Sequence, residues 1–93
     1  MYLNSLDQIK REVKELIITT LNFENVKPED ILDGANFFSG ENIIKIDSID
    51  VLEIVVAIQT RFNVKIDDQN LARNIVNSVN TVAEFIYSQH NKA

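Results

Sequence analysis

The sequence has no cysteine and no tryptophan, and it holds only two glycines, one proline and one histidine among its 93 residues. Without cysteine there is no disulfide framework, no thiolate metal site and no cysteine nucleophile. That composition agrees with a reducing compartment. Two glycines provide no glycine-rich phosphate loop. The single histidine, His90, stands near the end of the chain, where it reads as a polar residue close to a helix C-terminus. A Ser-His-Asp hydrolase is poorly supported, because Ser48 lies in Ile46-Asp47-Ser48-Ile49-Asp50 without the glycines of a nucleophile elbow. Asp67-Asp68 and the Asp47/Asp50 pair are carboxylates, but they follow no calcium-loop spacing, so no metal site is expected.

Positive charge is also scarce. Nine bases stand against 14 acids, for a net charge of −5. That argues against nucleic-acid binding, which needs Lys and Arg against phosphates. It suits a partner with a basic patch, or simply solubility. Long apolar runs are missing too. The longest, Ile54 to Ile58, is far too short to span a bilayer. Met1 to Leu6 shows no charged start followed by an apolar block, so no signal peptide is expected. These absences predict a cytoplasmic chain with no membrane insertion.

A hydrophobic content of 45% is enough for a core without disulfides. The expectation is one domain over residues 1–93, near the lower end of comfortable independent folding. Ser5, with Gln8 three residues later, opens helix one at about Leu6 to Leu21. Its apolar stripe is Leu6, Ile9, Val13, Leu16, Ile17 and Leu21. From Asn22 to Ile46 the helical pattern lapses, yet the apolar residues Phe23, Val26, Ile31, Leu32, Phe37, Phe38, Ile43 and Ile44 exclude a disordered linker. The reading is a long ordered loop, pinned by its phenylalanines, with a helical turn at Pro28-Glu29-Asp30 and turns at Gly34 and Gly40.

Helix two is expected from about Ser48 to Asn63. At 100° per residue, Val51, Ile54, Val55, Ile58 and Phe62 fall on one face and read as core. Ile49, Leu52 and Val56 fall largely elsewhere, with Glu53 beside them. Either the helix is fully buried or it carries an exposed apolar stripe edged by acids, which would mark a docking surface. Asp47 or Ser48 caps its first turn. Ser48 could also bear a phosphate-linked group near the free N–H groups. From Asp-Ser alone, the capping role is the commoner one.

Val64-Lys65-Ile66 reads as an extended link that plugs one end of a bundle. Asp67 or Asp68 caps a short helix at Gln69 to Ile75, with Leu71, Ala72 and Ile75 inward. Asn77 to Asn80 is a turn, and Thr81 with Glu84 reads as the capping box of a last helix ending near Gln89. That helix buries Val82, Phe85 and Ile86, and His90 to Ala93 reads as a frayed tail. The expected fold is an all-α helical bundle of three main helices and one short helix, with a long ordered loop between the first two.

Asp47-Ser48-Ile49-Asp50, followed by Leu52-Glu53-Ile54-Val55 and Phe62, resembles the Asp-Ser-Leu-Asp signature of acyl carrier proteins. Ile66-Asp67-Asp68 and Thr81-Val82 match the family's later pattern. Val26 to Ile31 and Asn36-Phe37-Phe38 look like its first loop. The likeness covers nearly the whole chain. It implies that Ser48 is esterified by 4′-phosphopantetheine, transferred from coenzyme A by a phosphopantetheinyl transferase with magnesium. The arm's thiol would then hold acyl groups as thioesters, which fits a chain without cysteine. The resemblance implies a carrier and not an enzyme, and a monomer is expected. By motif match, Asp47, Ile49, Asp50, Glu53 and Val56 would dock partners such as ketosynthases and acyltransferases, while Leu52, Val55 and Phe62 could line an acyl site.

The chain departs from the family pattern in three places. Lys45-Ile46 replaces Gly-Ala ahead of Asp-Ser, and Gln59-Thr60-Arg61 replaces acids late in the signature helix. Partners that rely on those acids would bind this chain less well. The stretch between Asp68 and Thr81 is longer than in housekeeping fatty-acid carriers, and the Asn74-to-Ile86 region looks more like specialised carriers of dedicated biosynthetic clusters. The implied function lies in fatty-acid, polyketide-like or related biosynthesis. Two alternatives remain: an aminoacyl or peptidyl carrier, including a D-alanyl carrier, and an unmodified acidic helical adaptor. Carriers of the first kind often have a Gly-Gly pair ahead of the serine, which is absent here.

Overall fold

Three amphipathic helices and one short helix enclose a core of aliphatic side chains in the computed structural model, which describes residues 5–90. The elements are α1 (Leu6–Thr20), a 3-10 turn (Pro28–Asp30), α2 (Ser48–Phe62), α3 (Gln69–Ile75) and α4 (Val79–His90). No strand occurs among the described residues. The N-terminal stretch read for a signal peptide lies outside them as far as residue 4, as do residues 91–93 of the expected tail.

α1 begins where the Gln8 N–H donates to Ser5 Oγ at 3.0 Å. Ile9, Val13 and Ile17 are wholly buried and seat α1 against α4 and α2. They recur at spacing 4, so one stripe faces inward while Asp7, Arg11 and Glu15 stay in water. The helix closes at Leu21, and Asn22 follows at φ 57°, a left-handed position that asparagine tolerates.

The long first loop is ordered, though phenylalanines alone do not pin it. Phe37 is fully buried, but Ile31, Ile44 and Ile46 join it in the core while Phe23 and Phe38 are only partly buried. Leu32 and Ile43 turn out to be exposed rather than anchoring. Between them lies the buried polar residue Asn42. Its Oδ1 accepts from the N–H of Leu32, and its Nδ2 donates to the carbonyls of Leu32 and Ala35. A satisfied amide inside a loop replaces ladder hydrogen bonds that an irregular backbone lacks. Phe37 N–H donates to Asn77 O and Asn80 N–H to Asp33 O, which ties the loop to the start of α4. Lys10 and Lys14 of α1 reach Asp33 at 3.9 and 2.5 Å.

Two boundaries differ from the sequence expectation. α4 starts at Val79, not Thr81. Ser78 and Thr81 bond reciprocally: Thr81 N–H donates to Ser78 Oγ and Ser78 N–H to Thr81 Oγ1. The Thr81 hydroxyl also donates to Ile75 O at 2.6 Å, so Thr81 sits inside the first turn and closes α3 onto α4. On α3, Ala72 and Ile75 are buried but Leu71 is exposed. At the far end, His90 is helical and not frayed. Its Nε2 lies 2.6 Å from the Phe62 carbonyl. A carbonyl only accepts, so that nitrogen carries the proton.

Candidate functional site

α2 owes its sharp start to Asp47. The Asp50 N–H donates to Asp47 Oδ1 at 2.9 Å, and the Asp47 N–H donates back to Asp50 Oδ2 at 3.1 Å. This reciprocal box takes up two polar groups that a helix end leaves open. It also settles which residue caps the helix: Asp47 does, and Ser48 is the first helical residue. The Ser48 side chain is exposed and makes no hydrogen bond among the described residues. Its hydroxyl is therefore spare. Two first-turn N–H groups, of Ser48 and Ile49, lie too early in α2 to bond within it.

The faces of α2 divide as the projection predicts. Val51, Ile54, Val55, Ile58 and Phe62 are buried. Ile49, Leu52 and Val56 are 70%, 55% and 61% exposed, which rules out a fully buried helix. Asp47 and Glu53 are exposed as well, and Asp50 is half-buried. These residues therefore form one outward surface beginning at Ser48. It holds apolar side chains at i, i+3 and i+7 with carboxylates between them.

Beside Ser48 lies an open groove of about 190 Å³ between α2 and α3. Ser48, Val51 and Leu52 line one side; Gln69, Ala72 and Arg73 line the other. Each trio has i, i+3, i+4 spacing, so two helical stripes face one another. Leu52 is the only member of the expected acyl-lining set found here, since Val55 and Phe62 point into the core. Gln69 and Arg73 were not singled out from sequence. The matching spacing on α3 was the available signal. The Arg73 guanidinium carbon lies over the Phe38 ring, 5.5 Å from its centre, linking α3 to the first loop.

The late part of α2 has a structural role instead. Gln59 Oε1 accepts from Ile66 N–H at 2.8 Å, and Arg61 pairs with Glu12 of α1. Both side chains are thus engaged within the fold, and only Thr60 of that trio is left exposed without a side-chain bond. Among the described residues no group of His, Asp and Glu could hold a metal ion. No helix there is long and apolar enough to cross a membrane.

A family model described as a phosphopantetheine attachment site matches residues 11–86. The acyl carrier protein of Buchnera aphidicola subsp. Schizaphis graminum is 26% identical over 87 residues, covering 94% of this chain and 100% of the relative. The acyl carrier protein of Wolinella succinogenes is 29% identical over 75 residues, covering 81% and 88%. Acyl carrier protein 2, mitochondrial, of Arabidopsis thaliana is 30% identical over 80 residues, covering 85% of this chain and 60% of the relative.

Proposed function

The chain belongs to the acyl carrier protein family, and from that premise we propose that Ser48 bears its covalent 4′-phosphopantetheine. The family consists of carriers and not catalysts. The observation that supports Ser48 is the division of labour at the start of α2. Asp47 does the capping, which leaves an exposed serine hydroxyl with no structural duty.

The residues present fit the group. In the attachment step Ser48 Oγ would form the new bond to phosphorus as the pyrophosphate linkage of coenzyme A breaks, with 3′,5′-adenosine bisphosphate leaving and the hydroxyl proton passing to the transferase. The unbonded N–H groups of Ser48 and Ile49, at the positive end of the helix dipole, would hold the resulting phosphodiester. Val51, Leu52 and Ala72 offer an apolar groove floor next to it. When bound, the group supplies the thiol that holds acyl cargo as a thioester.

Carriers of this family work with biosynthetic enzymes and a phosphopantetheinyl transferase. In our reading, residues 1–93 act as one monomeric carrier domain in the cytoplasm, in fatty-acid, polyketide-like or related biosynthesis. Partners dock on Asp47, Ile49, Asp50, Glu53 and Val56. Support comes from the exposure of Ile49 and Val56, since apolar side chains held in water beside carboxylates form a patch suited to a basic-rimmed partner.

The test is intact mass after incubation with coenzyme A, magnesium and a broad-specificity transferase. Wild type should gain one phosphopantetheine, and Ser48→Ala should gain none. Modification of Ser48→Ala would move the attachment elsewhere. Failure of wild type with several transferases would sink the reading.

A further inference from the structure

We propose that Arg73 is a positioning residue for the arm, pairing its guanidinium with the phosphodiester on Ser48 across the α2–α3 groove. The inference rests on Ser48 as the attachment position. It draws on three observations: the groove, the place of Arg73 over the Phe38 ring, and the pairing of every other arginine.

The chain has three arginines. Arg11 pairs with Glu15, and Arg61 pairs with Glu12. Arg73 pairs with no carboxylate among the described residues; it lies over the Phe38 ring. The ring attracts the guanidinium without taking up its N–H donors as a carboxylate would. With no hydrogen bond or ion pair among the described residues, Arg73 keeps a donor edge free. That edge suits a phosphate, which accepts two parallel N–H bonds.

Placement gives this free donor edge a target. Arg73 and Ser48 line the same groove, and among the described residues Arg73 is the only charged one that does. Lys45, the other cation near the motif, precedes the helix and does not line the groove. A phosphodiester on Ser48 stands beside the carboxylates of Asp47 and Asp50. Those two acids are locked in the capping box and cannot move away without opening the helix start. The helix N–H groups offset part of that repulsion, and Arg73 supplies a full opposite charge from the other wall.

The consequence is a resting pose. With its phosphate drawn toward α3, the arm starts along the apolar floor of Val51, Leu52 and Ala72, beside the Gln69 amide. Arg73 is solvent-exposed, so the pairing weakens as salt screens it. A partner that offers its own cation to the phosphate can then free the arm.

The experiment compares full-length apo and holo protein by NMR at low and high salt. In wild type, the Arg73 Nε–H resonance should shift on conversion to holo at low salt, and the shift should shrink at high salt. The Arg11 and Arg61 resonances should stay in place. In holo Arg73→Gln the phosphorus line should sharpen relative to wild type, as the phosphodiester gains freedom. An unmoved Arg73 resonance overturns the proposal, and needs no variant to fold. A shift with no phosphorus change in Arg73→Gln overturns it too. Intact mass is read on the same samples. If the mass gain at Ser48 is absent, the attachment reading itself has failed; if it is present with Arg73 unmoved, only this inference has.

Discussion

The two ends of α2 are built on opposite plans. At the C-terminal end each turn is tied to another element. Gln59 holds the Ile66 N–H, Arg61 holds Glu12 of α1, and the Phe62 carbonyl holds His90 of α4. Asn63, at φ 55°, then turns the chain away. At the N-terminal end the polar bonds stay local, within the Asp47–Asp50 box. The Ser48 and Glu53 side chains make no hydrogen bond or ion pair among the described residues. A helix fixed at one end and unencumbered at the other can present a side chain to a second protein without disturbing its own seat. Substitutions late in α2 should therefore be read in stability, and those early in α2 in loading and docking.

The largest effect belongs to what both ends share. Ile54 is wholly buried midway along the inward face. Ile54→Ala removes buried methyl groups and leaves a cavity, which should cost about 2–5 kcal/mol by chemical denaturation. A cost below that range would mean that α2 is held by its end contacts and not by its buried face. The next effect separates the ends. Gln59→Leu strips the acceptor from the N–H of Ile66, a buried residue, and should cost about 1–3 kcal/mol while loading at Ser48 stays unchanged. If loading fell as much as stability, the ends would be coupled and the contrast would fail.

Asp47→Ala probes the local box. It should cost about 0.5–2 kcal/mol, since a side-chain cap is lost and Ser48 stands one residue too late to replace it. No loss of stability would mean that Ser48 shifts into the capping role, and its hydroxyl would then not be spare. This distinction is the part of the site that the sequence left open. Aspartate and serine are equally good caps, and adjacent residues differ only in register, which the backbone at Asp47 decides with its extended ψ of −177°.

Other features were legible because they repeat. The inward stripes of α1 and α2 follow from apolar spacing alone, and so does the outward set of Ile49, Leu52 and Val56. What could not be read depends on single contacts between distant segments. Thr81-Glu84 has the pattern of a capping box, but the Thr81 hydroxyl is claimed by Ile75, and the helix starts earlier. Asn42 looks like any loop asparagine until it is found buried with both ends of its amide bonded to Leu32. Gln59 and Arg61 look like changes to a docking surface, yet their partners lie on the link after α2 and on α1. Periodicity reports which way a face points; it carries no information on which remote polar group a side chain meets.

The smallest change in stability should come with a clear change in binding. Glu53 is exposed on the outward side of α2, between Ile49 and Val56, and pairs with no cation among the described residues. Glu53→Lys thus breaks no internal bond, and its stability should stay within about 0.5 kcal/mol of wild type. The charge at position 53 changes sign where a basic partner would approach. Rim charges act mainly on association, so the variant should bind a transferase with a basic docking face more slowly, and the deficit should shrink as salt rises. Association rates at two salt concentrations, read beside a denaturation midpoint, measure both quantities on one preparation. Equal rates for the two proteins would remove Glu53 from the docking surface. A lowered midpoint would instead show that the N-terminal end of α2 carries structural work, and that the two ends are less different than their contacts suggest.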